Sequence, residues 1–560
     1  MTGVSSFAMQ QLVVAPVLLP LATAALLLLL GEKRRAAAAV LGFASALGGL
    51  VLAVALLLWV DRQHAPAAFG VYLPGNWPVP FGIVLVVDRL SALMMVLAGS
   101  AGLAALLFSL ARWQRAGVHF HPLFQLQLTG LYGAFLTADL FNLFVFFEVL
   151  LAASYGLLMH GGGGDRVRAG LHYIAINLVA SLLFLIGVAL IYGVTGTLNM
   201  ADIAQKLPQV PDSDRGLLRA GGAILAIAFL AKAAVWPLNF WLPPAYAAAG
   251  APVAALFAIL TKVGIYAVLR LWTLCFPSSA GASALFGGEV LVWGGLATLA
   301  FGAVGMMASQ RLDRLAGFSV IASSGTLLAA IGFDAPTLSA GALFYLASST
   351  WAGCSLFLLV ELMERARQVE LAPVADDDDQ LPDFLDAAPQ RDTNLDDDEE
   401  ALIGRAIPAA LAFLGLAFIL CALVVAGLPP LSGFVGKLAM LSALLRAPEG
   451  VAGAAAAPTL FVLLIVSGLF AAAGLLRVGI RHFWAPQDRL PPRLRVVECV
   501  PIALLLVACL LLVLRGEAAL AYAQATAEAL NQPQRYIDAV FGARPVSRGS
   551  TAAAVERLAP

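Results

Sequence analysis

The chain has 560 residues, of which 61% are hydrophobic and 12% are charged, and its mean hydropathy is +0.90. Soluble globular domains carry about 25% charged residues, so this composition excludes a soluble protein and indicates a polytopic membrane protein. The formal net charge of -1 leaves no basic surface for nucleic acid, and small ions are the natural cargo. The five cysteines are scattered among apolar residues, so we predict no metal site, no disulfide framework and no cofactor.

Apolar runs of about 20 residues, the length that crosses a bilayer as a helix, recur along the whole chain. The first run, residues 11 to 31, has neither the basic region nor the cleavage site of a signal peptide, and we expect a retained helix. Counting the runs predicts an all-α fold with about fourteen transmembrane helices. Their centres lie near residues 20, 48, 96, 129, 149, 181, 233, 263, 298, 324, 350, 416, 466 and 506.

Basic residues are distributed unevenly between alternate loops. With the N-terminus outside, the short cytoplasmic loops carry Lys33, Arg34, Arg35, Arg112, Arg115, Arg166, Arg168, Arg311, Arg314, Arg477, Arg481, Arg489, Arg493 and Arg495. The short outer loops carry only Arg62, Lys206, Arg215, Arg219 and Arg446. Because cytoplasmic loops are enriched in Lys and Arg, this bias predicts that both termini lie on the outer side.

Four charged residues lie inside apolar stretches. Three of the chain's five lysines, Lys232, Lys262 and Lys437, are placed in this way, and so is Glu148. A charge at the bilayer centre costs about 2.5 to 3.5 kcal/mol on insertion scales, and such residues usually mark an ion or proton path. The sequence therefore predicts such a path through Glu148, Lys232, Lys262 and Lys437.

Two long apolar segments, residues 227–250 and 420–441, each combine a Leu-Pro-Pro motif with an embedded lysine. Proline removes a backbone donor and breaks a helix, and paired broken helices mark the translocation site of many transporters. We therefore expect breaks at Pro237 and Pro243 in the first segment and at Pro429 and Pro430 in the second. The alternative is a pair of kinked helices packed for shape, which would not need a lysine beside each kink.

Glu148 and Lys232 suggest a proton switch. Burial favours the neutral form of a lysine, whereas a nearby carboxylate favours the charged form. A contact between the two that forms and breaks would make Lys232 hold and release a proton, and Lys262 and Lys437 would be the next stations. The alternative for the pair is a static ion pair that holds two helices together.

Several segments together resemble a known family. They are NLFVFFEVLLAASYGLL around Glu148, AGLHYIAINLVAS at 169–181, KAAVWPLNFWLPPAY from Lys232, APVAALFAILTKVGIYAVLRLWTL around Lys262 and GLPPLSGFVGKL ending near Lys437. The chain is similar to the antiporter-like membrane subunits of respiratory complex I, membrane-bound hydrogenases and Mrp-type cation/proton antiporters, and most of all to the Mrp D subunits. The resemblance covers nearly the whole chain.

The resemblance implies two inverted five-helix repeats, each with a broken helix, and a proton path along midplane lysines and a glutamate. Glu148 resembles the glutamate of helix 5, Lys232 and Lys437 the lysines of the two broken helices, and Lys262 the central lysine of helix 8. It also implies a layout. The N-terminal helices occupy residues 1–115, the first repeat 116–275, the second repeat 285–485, and the last helix with an outer tail 495–560.

The chain departs from the family pattern at several positions, two of which are occupied by histidine in relatives. Relatives carry a histidine in a context like FYLxHST, where this chain has Ser348, and a histidine is often found where it has Asn239. Transfer between Lys262 and Lys437 would then need water, Ser348 or Ser349 as a bridge. His172 stands near the start of its helix as either a proton-uptake residue or an interfacial histidine.

Other charges have simpler interpretations. We expect Asp88 and Arg89 to form an interfacial charged pair, and Glu361, Glu364 and Arg365 to extend toward water at the cytoplasmic face. Residues 366–403 contain two acidic runs and should form a cytoplasmic linker. Residues 516–544 have a partly helical pattern.

We expect a non-enzymatic subunit of a multisubunit antiporter in the bacterial inner membrane, exchanging Na⁺ or K⁺ for H⁺. Its partners would be other hydrophobic subunits, including a second large antiporter-like one, and membrane lipids. One alternative is a proton-pumping subunit of a redox complex such as complex I or a hydrogenase, and another is a structural scaffold. No carboxylate and carbonyl cluster typical of a sodium site is visible in the sequence.

Overall fold

The structure, a computed structural model, describes residues 11–31, 34–63, 68–113, 119–371, 409–446, 453–483 and 494–546. Helices make up most of these residues. In chain order they are α1 (Ala15–Leu30), α2 (Arg35–Arg62), α3 (Arg89–Ser109), α4 (Phe120–Leu136), α5 (Leu140–Leu158), α6 (Gly164–Thr195), α7 (Met200–Lys206), α8 (Asp212–Lys232), α9 (Leu242–Ala248), α10 (Ala251–Cys275), α11 (Gly288–Ala308), α12 (Leu312–Gly332), α13 (Pro336–Leu371), α14 (Ala409–Ala426), α15 (Ser432–Leu444), α16 (Ala456–Phe483), α17 (Val496–Leu514), α18 (Gly516–Leu530) and α19 (Pro533–Phe541).

Twelve helices in the described part of the chain are long and apolar enough to cross a membrane, which confirms a polytopic membrane protein. They coincide with twelve of the fourteen predicted centres. The other two centres, near residues 129 and 233, fall on α4, which has only 17 residues, and on α8, whose first turn carries Asp212 and Asp214. The described residues thus do not confirm the number fourteen, and the two inverted repeats stay a prediction.

The central helices and the peripheral helices differ in burial. In the most apolar 18-residue stretch of α10, 94% of the residues are buried inside the protein, and in that of α13 the share is 89%. In the corresponding stretch of the last span, α17, only 33% of the residues are buried, as expected for a helix that faces lipid. The central helices therefore provide the protected interior in which a buried charge can be held.

Two helices are interrupted in the proline-containing segments. The helix α8 ends at Lys232, and α9 begins only at Leu242; likewise α14 ends at Ala426, and α15 begins at Ser432. Pro237, Pro429 and Pro430 lie in the interruptions, while Pro243 occupies the first turn of α9, where a missing backbone N–H is tolerated. At each break a carbonyl oxygen of the first segment accepts a hydrogen bond from a side chain: Trp241 Nε1 donates to the Ala231 oxygen, and Lys437 Nζ donates to the Ala426 oxygen.

The segments outside the spans are partly as expected. A two-stranded antiparallel sheet, β1 (Gly70–Tyr72) with β2 (Leu85–Val87), lies between α2 and α3 and was not predicted. The helical tail predicted for residues 516–544 is confirmed as α18 and α19. The linker predicted for 366–403 is wrong at its start, because α13 continues to Leu371; from residue 372 it lies outside the described residues.

Candidate proton path

Lys232 is the last residue of α8 and lies at the first helix break. Its Nζ atom lies 5.2 Å from the centre of the Phe147 ring, a cation–π contact. The break approaches α10 at Gly264, where an added Cβ would come within 2.8 Å of Ala233 N and of Phe229 O. Only glycine permits this approach. The negative end of the α8 dipole also favours a cation at this position.

Glu148 is partly buried on α5, next to Phe147, and accepts a hydrogen bond from the Ser181 hydroxyl of α6. Glu148 and Lys232 form no ion pair within 4.0 Å in this structure, in which both residues are described. A static ion pair between them is therefore absent here. The Glu148 carboxylate is held instead by a neutral hydroxyl group.

A small cavity adjoins Lys232. It offers about 30 Å³ to the centres of water-sized molecules, and about 10 to 15 Å³ suffices for one water. Its polar lining comes from Asn177 and Tyr173 of α6 together with Trp241. The first break thus has room for water next to the lysine.

Lys262 lies at the middle of α10 with only 1% of its surface exposed. Its ammonium donates a hydrogen bond to the hydroxyl of Ser323 on α12. The Ser323 hydroxyl in turn lies 3.4 Å from the hydroxyl of Ser349 on α13. This distance is longer than a good hydroxyl–hydroxyl bond, and a small shift or one water would complete the link.

A second cavity connects Lys262 with Lys437. It also offers about 30 Å³ to water-sized centres, enough for about two waters. The polar residues that line it are Lys262, Ser319, Ser323, Thr326, Tyr345, Ser349, Lys437 and Ser467. The space between Lys262 and Lys437 is thus lined by hydroxyl groups.

Lys437 belongs to α15, but its ammonium reaches back across the second break and donates a 3.0 Å hydrogen bond to the carbonyl of Ala426, the last residue of α14. Two glycines leave space for it. An added Cβ would meet the Lys437 side chain at 2.6 Å from Gly427 and at 3.2 Å from Gly468. The φ of +74° at Gly427 also favours glycine.

The two accessory residues proposed from the sequence lie apart from this cavity. Ser348 is fully buried, and its hydroxyl is 2.8 Å from that of Ser432, the first residue of α15. His172 is exposed on α6, where its Nδ1 lies 2.9 Å from the Arg168 carbonyl. Ser349 and Ser323, rather than Ser348, therefore line the route between the two lysines.

The interpretation of Asp88 and Arg89 as a charged pair is wrong. Arg270 of α10 holds Asp88 through two hydrogen bonds of 2.6 and 2.7 Å, and both residues are buried. Arg89 instead pairs with Asp61 at 3.5 Å. Sequence reasoning missed Arg270, although an arginine inside a long apolar run was a usable signal of a buried partner.

The predicted extension of Arg365 and Glu361 toward water is also wrong. Arg365 binds Glu361 of its own helix at 2.8 Å and Glu498 of α17 at 2.7 Å, and Glu498 is fully buried. Trp113 adds a 2.7 Å hydrogen bond to Glu361. The result is a partly buried ion-pair network that joins α13 to the last span.

Known proteins similar to this chain identify its family. The family described as "NADH:quinone oxidoreductase/Mrp antiporter, TM" matches residues 137–379. The chain is 52% identical over 539 residues to the D subunit of a probable K(+)/H(+) antiporter of Rhizobium meliloti (strain 1021), covering 96% of this chain and 98% of that one. The chain belongs to the family of Mrp antiporter D subunits.

Other members and related structures agree with this placement. The D subunit of the Na(+)/H(+) antiporter of Bacillus subtilis (strain 168) is 32% identical over 540 residues, covering 95% of this chain and all of that one. A chain of the Mrp complex from Dietzia sp. DQ12-45-1b has a TM-score of 0.77 at 26% identity, covering 97% and 100% of the two chains. A chain of respiratory complex I from Thermus thermophilus has a TM-score of 0.72 at 25% identity, covering 93% and 99%. The family thus shares its fold with complex I.

Proposed function

We propose that this chain is a proton-translocating subunit of a multisubunit monovalent cation/proton antiporter. Its relatives are named as K(+)/H(+) and Na(+)/H(+) antiporter subunits. The buried lysines and the hydroxyl groups between them are suited to carrying protons. A neutral lysine accepts a proton and a charged lysine donates one, so Lys232, Lys262 and Lys437 supply three stations. In this proposal the chain itself catalyses no chemical reaction.

The single observation that carries the proposal is the hydroxyl-lined cavity between Lys262 and Lys437. Buried ammonium groups need hydrogen-bond partners, and here they contact Ser323 and the Ala426 carbonyl. A proton leaving Lys262 through water and Ser349 could reach Lys437 without crossing apolar space. No carboxylate of the described residues lines this cavity, which makes it poorly suited to a metal cation. We therefore place the cation route outside this cavity, at a contact with another subunit or within one.

In the first half, Glu148 and Lys232 would form the gate. Movement of the Lys232 ammonium from the Phe147 ring toward Glu148 would favour the charged lysine, and return would release the proton toward Lys262. The cavity beside Lys232 has room for the water that this transfer needs. A scaffold function is disfavoured, because a scaffold has no use for three separately held lysines in its interior.

The experiment measures cation-dependent dissipation of a pH gradient in everted vesicles that contain the complete complex. Wild-type complex should respond to added Na⁺ or K⁺, whereas the Glu148→Gln variant should not respond although it is present at the same level. Asp165 offers a matched control, since Asp165→Asn removes an exposed carboxylate from the first turn of α6. A fully active Glu148→Gln variant would refute the proposed gate.

The second candidate is a proton-pumping subunit of a redox complex, favoured only by the fold shared with complex I. Gentle purification from the native membrane followed by mass spectrometry separates the two. Small hydrophobic subunits with a second large antiporter-like one, and no redox proteins, support the antiporter. Flavin or iron–sulfur subunits would transfer the same lysines to a redox-driven pump.

A further inference from the structure

Arginines converge where α11 ends and α12 begins, beside the end of α16. Arg477 of α16 donates hydrogen bonds to the carbonyl oxygen of Met307 and, at 3.1 Å, to that of Ser309. Arg481, one turn further, donates at 2.8 Å to the side-chain oxygen of Gln310. Arg311 is the next residue of the chain and is 60% exposed. We call Arg311, Arg477 and Arg481 the arginine groove.

The carboxylates that act on this groove act on Arg311. Arg311 pairs with Asp313, and Glu364 and Asp165 also act on it, which accounts for one arginine. Within the described residues, Arg477 and Arg481 take part in no ion pair, and the buried Nε of Arg477 has no hydrogen-bond partner. Two guanidinium groups without a carboxylate partner therefore lie at the same turn between α11 and α12.

An apolar surface borders the groove on the same helix. Leu476 and Ile480 are 62% and 49% exposed, and each directly precedes one of the two arginines. Residues four apart lie on one face of a helix, so an apolar stripe and an arginine stripe run side by side. Val304 of α11, 57% exposed, extends the apolar surface across the neighbouring helix. This arrangement matches a molecule with an anionic head and apolar chains.

We propose that the arginine groove binds the headgroup of an anionic phospholipid, whose acyl chains lie along Leu476, Ile480 and Val304. Guanidinium groups bind phosphate oxygens in pairs, and basic pockets between membrane helices are established sites for acidic lipids. An excess of cytoplasmic arginines accounts for positive charge at this end of the bundle. It does not require two arginines aligned with an exposed apolar stripe and left without a carboxylate.

The proposed lipid would touch the proton path indirectly. The helix α16 that carries the arginines also carries Ser467, which lines the cavity between Lys262 and Lys437, and Gly468, which makes room for the Lys437 ammonium. A lipid that fixes one end of α16 against α11 would therefore fix one wall of that cavity. This part rests on the proposed function, whereas lipid binding itself does not.

The test uses the complete purified complex, titrated with phosphatidylglycerol or phosphatidylcholine and examined by native mass spectrometry. Wild-type complex should retain phosphatidylglycerol in preference to phosphatidylcholine. The double variant Arg477→Gln/Arg481→Gln should bind phosphatidylglycerol about 30-fold more weakly, because each arginine near an acidic lipid contributes about a fivefold effect. If that variant fails to assemble, Arg481→Gln alone should weaken binding about fivefold. The matched control Arg168→Gln removes an exposed arginine from α6 and should leave binding unchanged.

Three outcomes would overturn the proposal. The first is equal retention of phosphatidylglycerol by the wild-type complex and the arginine variants. The second is competition by glycerol phosphate at the same concentration as the lipid, which would identify a site for free anions. The third is capture of another subunit, and not of lipid, by a photoreactive residue in place of Ile480. Loss of lipid binding with normal antiport would refute only the link to the proton path.

Discussion

The two broken helices hold their lysines in different ways. Lys232 ends the first segment of its helix and contacts an aromatic ring, without a hydrogen bond from its ammonium among the described residues. Lys437 belongs to the second segment of its helix. Its ammonium donates a hydrogen bond to the last carbonyl of the first segment, in a niche made by two glycines. Both ammonium groups are thus brought to the C-terminal end of a half-helix, where the helix dipole favours a cation. We infer that Lys232 is the lysine that moves and Lys437 the lysine that is held.

The largest effect is expected from removing either ammonium. Lys232→Gln and Lys437→Gln should each abolish cation-dependent proton movement in everted vesicles, because the loss of one lysine interrupts the proposed proton path. Both variants should assemble, since glutamine is polar and of similar length. If only one of the two were inactive, the broken helices would not be two parts of one path.

The ion pair on α10, the helix between the first break and the cavity, should dominate stability. Asp88→Asn should destabilise the protein by about 3 to 5 kcal/mol, because it leaves Arg270 buried without a counter-charge. The measurement is thermal unfolding of the purified complex. Asp61→Asn is the matched control, since its ion pair with Arg89 is half-exposed and such pairs contribute about 0 to 1 kcal/mol.

The same pair predicts a pH dependence. Burial alone would raise the pKa of the Asp88 carboxyl, but Arg270 holds that pKa below its ordinary value. The folded state therefore binds this proton less readily than the unfolded state, and the pair stabilises the protein at neutral pH. Its contribution should fall as the pH drops through the lowered pKa. The unfolding temperature of Asp88→Asn should be less sensitive to acid than that of the wild type, and equal sensitivity would contradict the assignment.

The niche of Lys437 can be tested without removing the lysine. Gly427→Ala places a Cβ against the Lys437 side chain and forces alanine into a left-handed backbone, at a cost of about 1 to 3 kcal/mol. Antiport should drop sharply, because the ammonium is displaced from the Ala426 carbonyl. Gly193→Ala on α6, where no atom lies within 4 Å of the new Cβ, should remain active. Normal antiport in Gly427→Ala would show that Lys437 is not held as described.

The smallest effect separates two adjacent serines. Ser349→Ala removes a hydroxyl from the cavity and should slow proton transfer between Lys262 and Lys437. Ser348→Ala removes the bond to Ser432 and should cost about 1 kcal/mol of stability with little change in rate. Initial rates of proton movement and unfolding temperatures distinguish the two. The reverse pattern would restore the sequence-based assignment of Ser348 as the bridge.

The sequence was most informative where a residue was costly in its surroundings. A lysine or glutamate in an apolar run predicts a buried charge, and a proline in an apolar helix predicts a break. The helix breaks and the buried lysines could therefore be located in advance. Partners could not be located in this way. The identity of the carboxylate held by Arg270, or of the carbonyl reached by Lys437, depends on which helices meet, and a sequence pattern does not contain that information.

The choice between Ser348 and Ser349 shows the same limit. Adjacent residues on a helix point about 100° apart, and helix orientation within a bundle decides which one meets the cavity. The number of spans was hard to fix for a related reason. The buried helix α4 needs fewer apolar residues than a lipid-facing helix, and α8 begins with charged residues and ends at a break.

The measurement that tests the central claim most directly is proton flux through Lys262, the station that joins the two halves. The complete complex is reconstituted into liposomes with a pH-sensitive dye inside, and a gradient of Na⁺ or K⁺ is applied. Lys262→Gln should abolish the flux, while Lys206→Gln, which removes a half-exposed lysine paired with Asp202, should leave it intact. Equal flux in the two variants would contradict the proton path described for this protein.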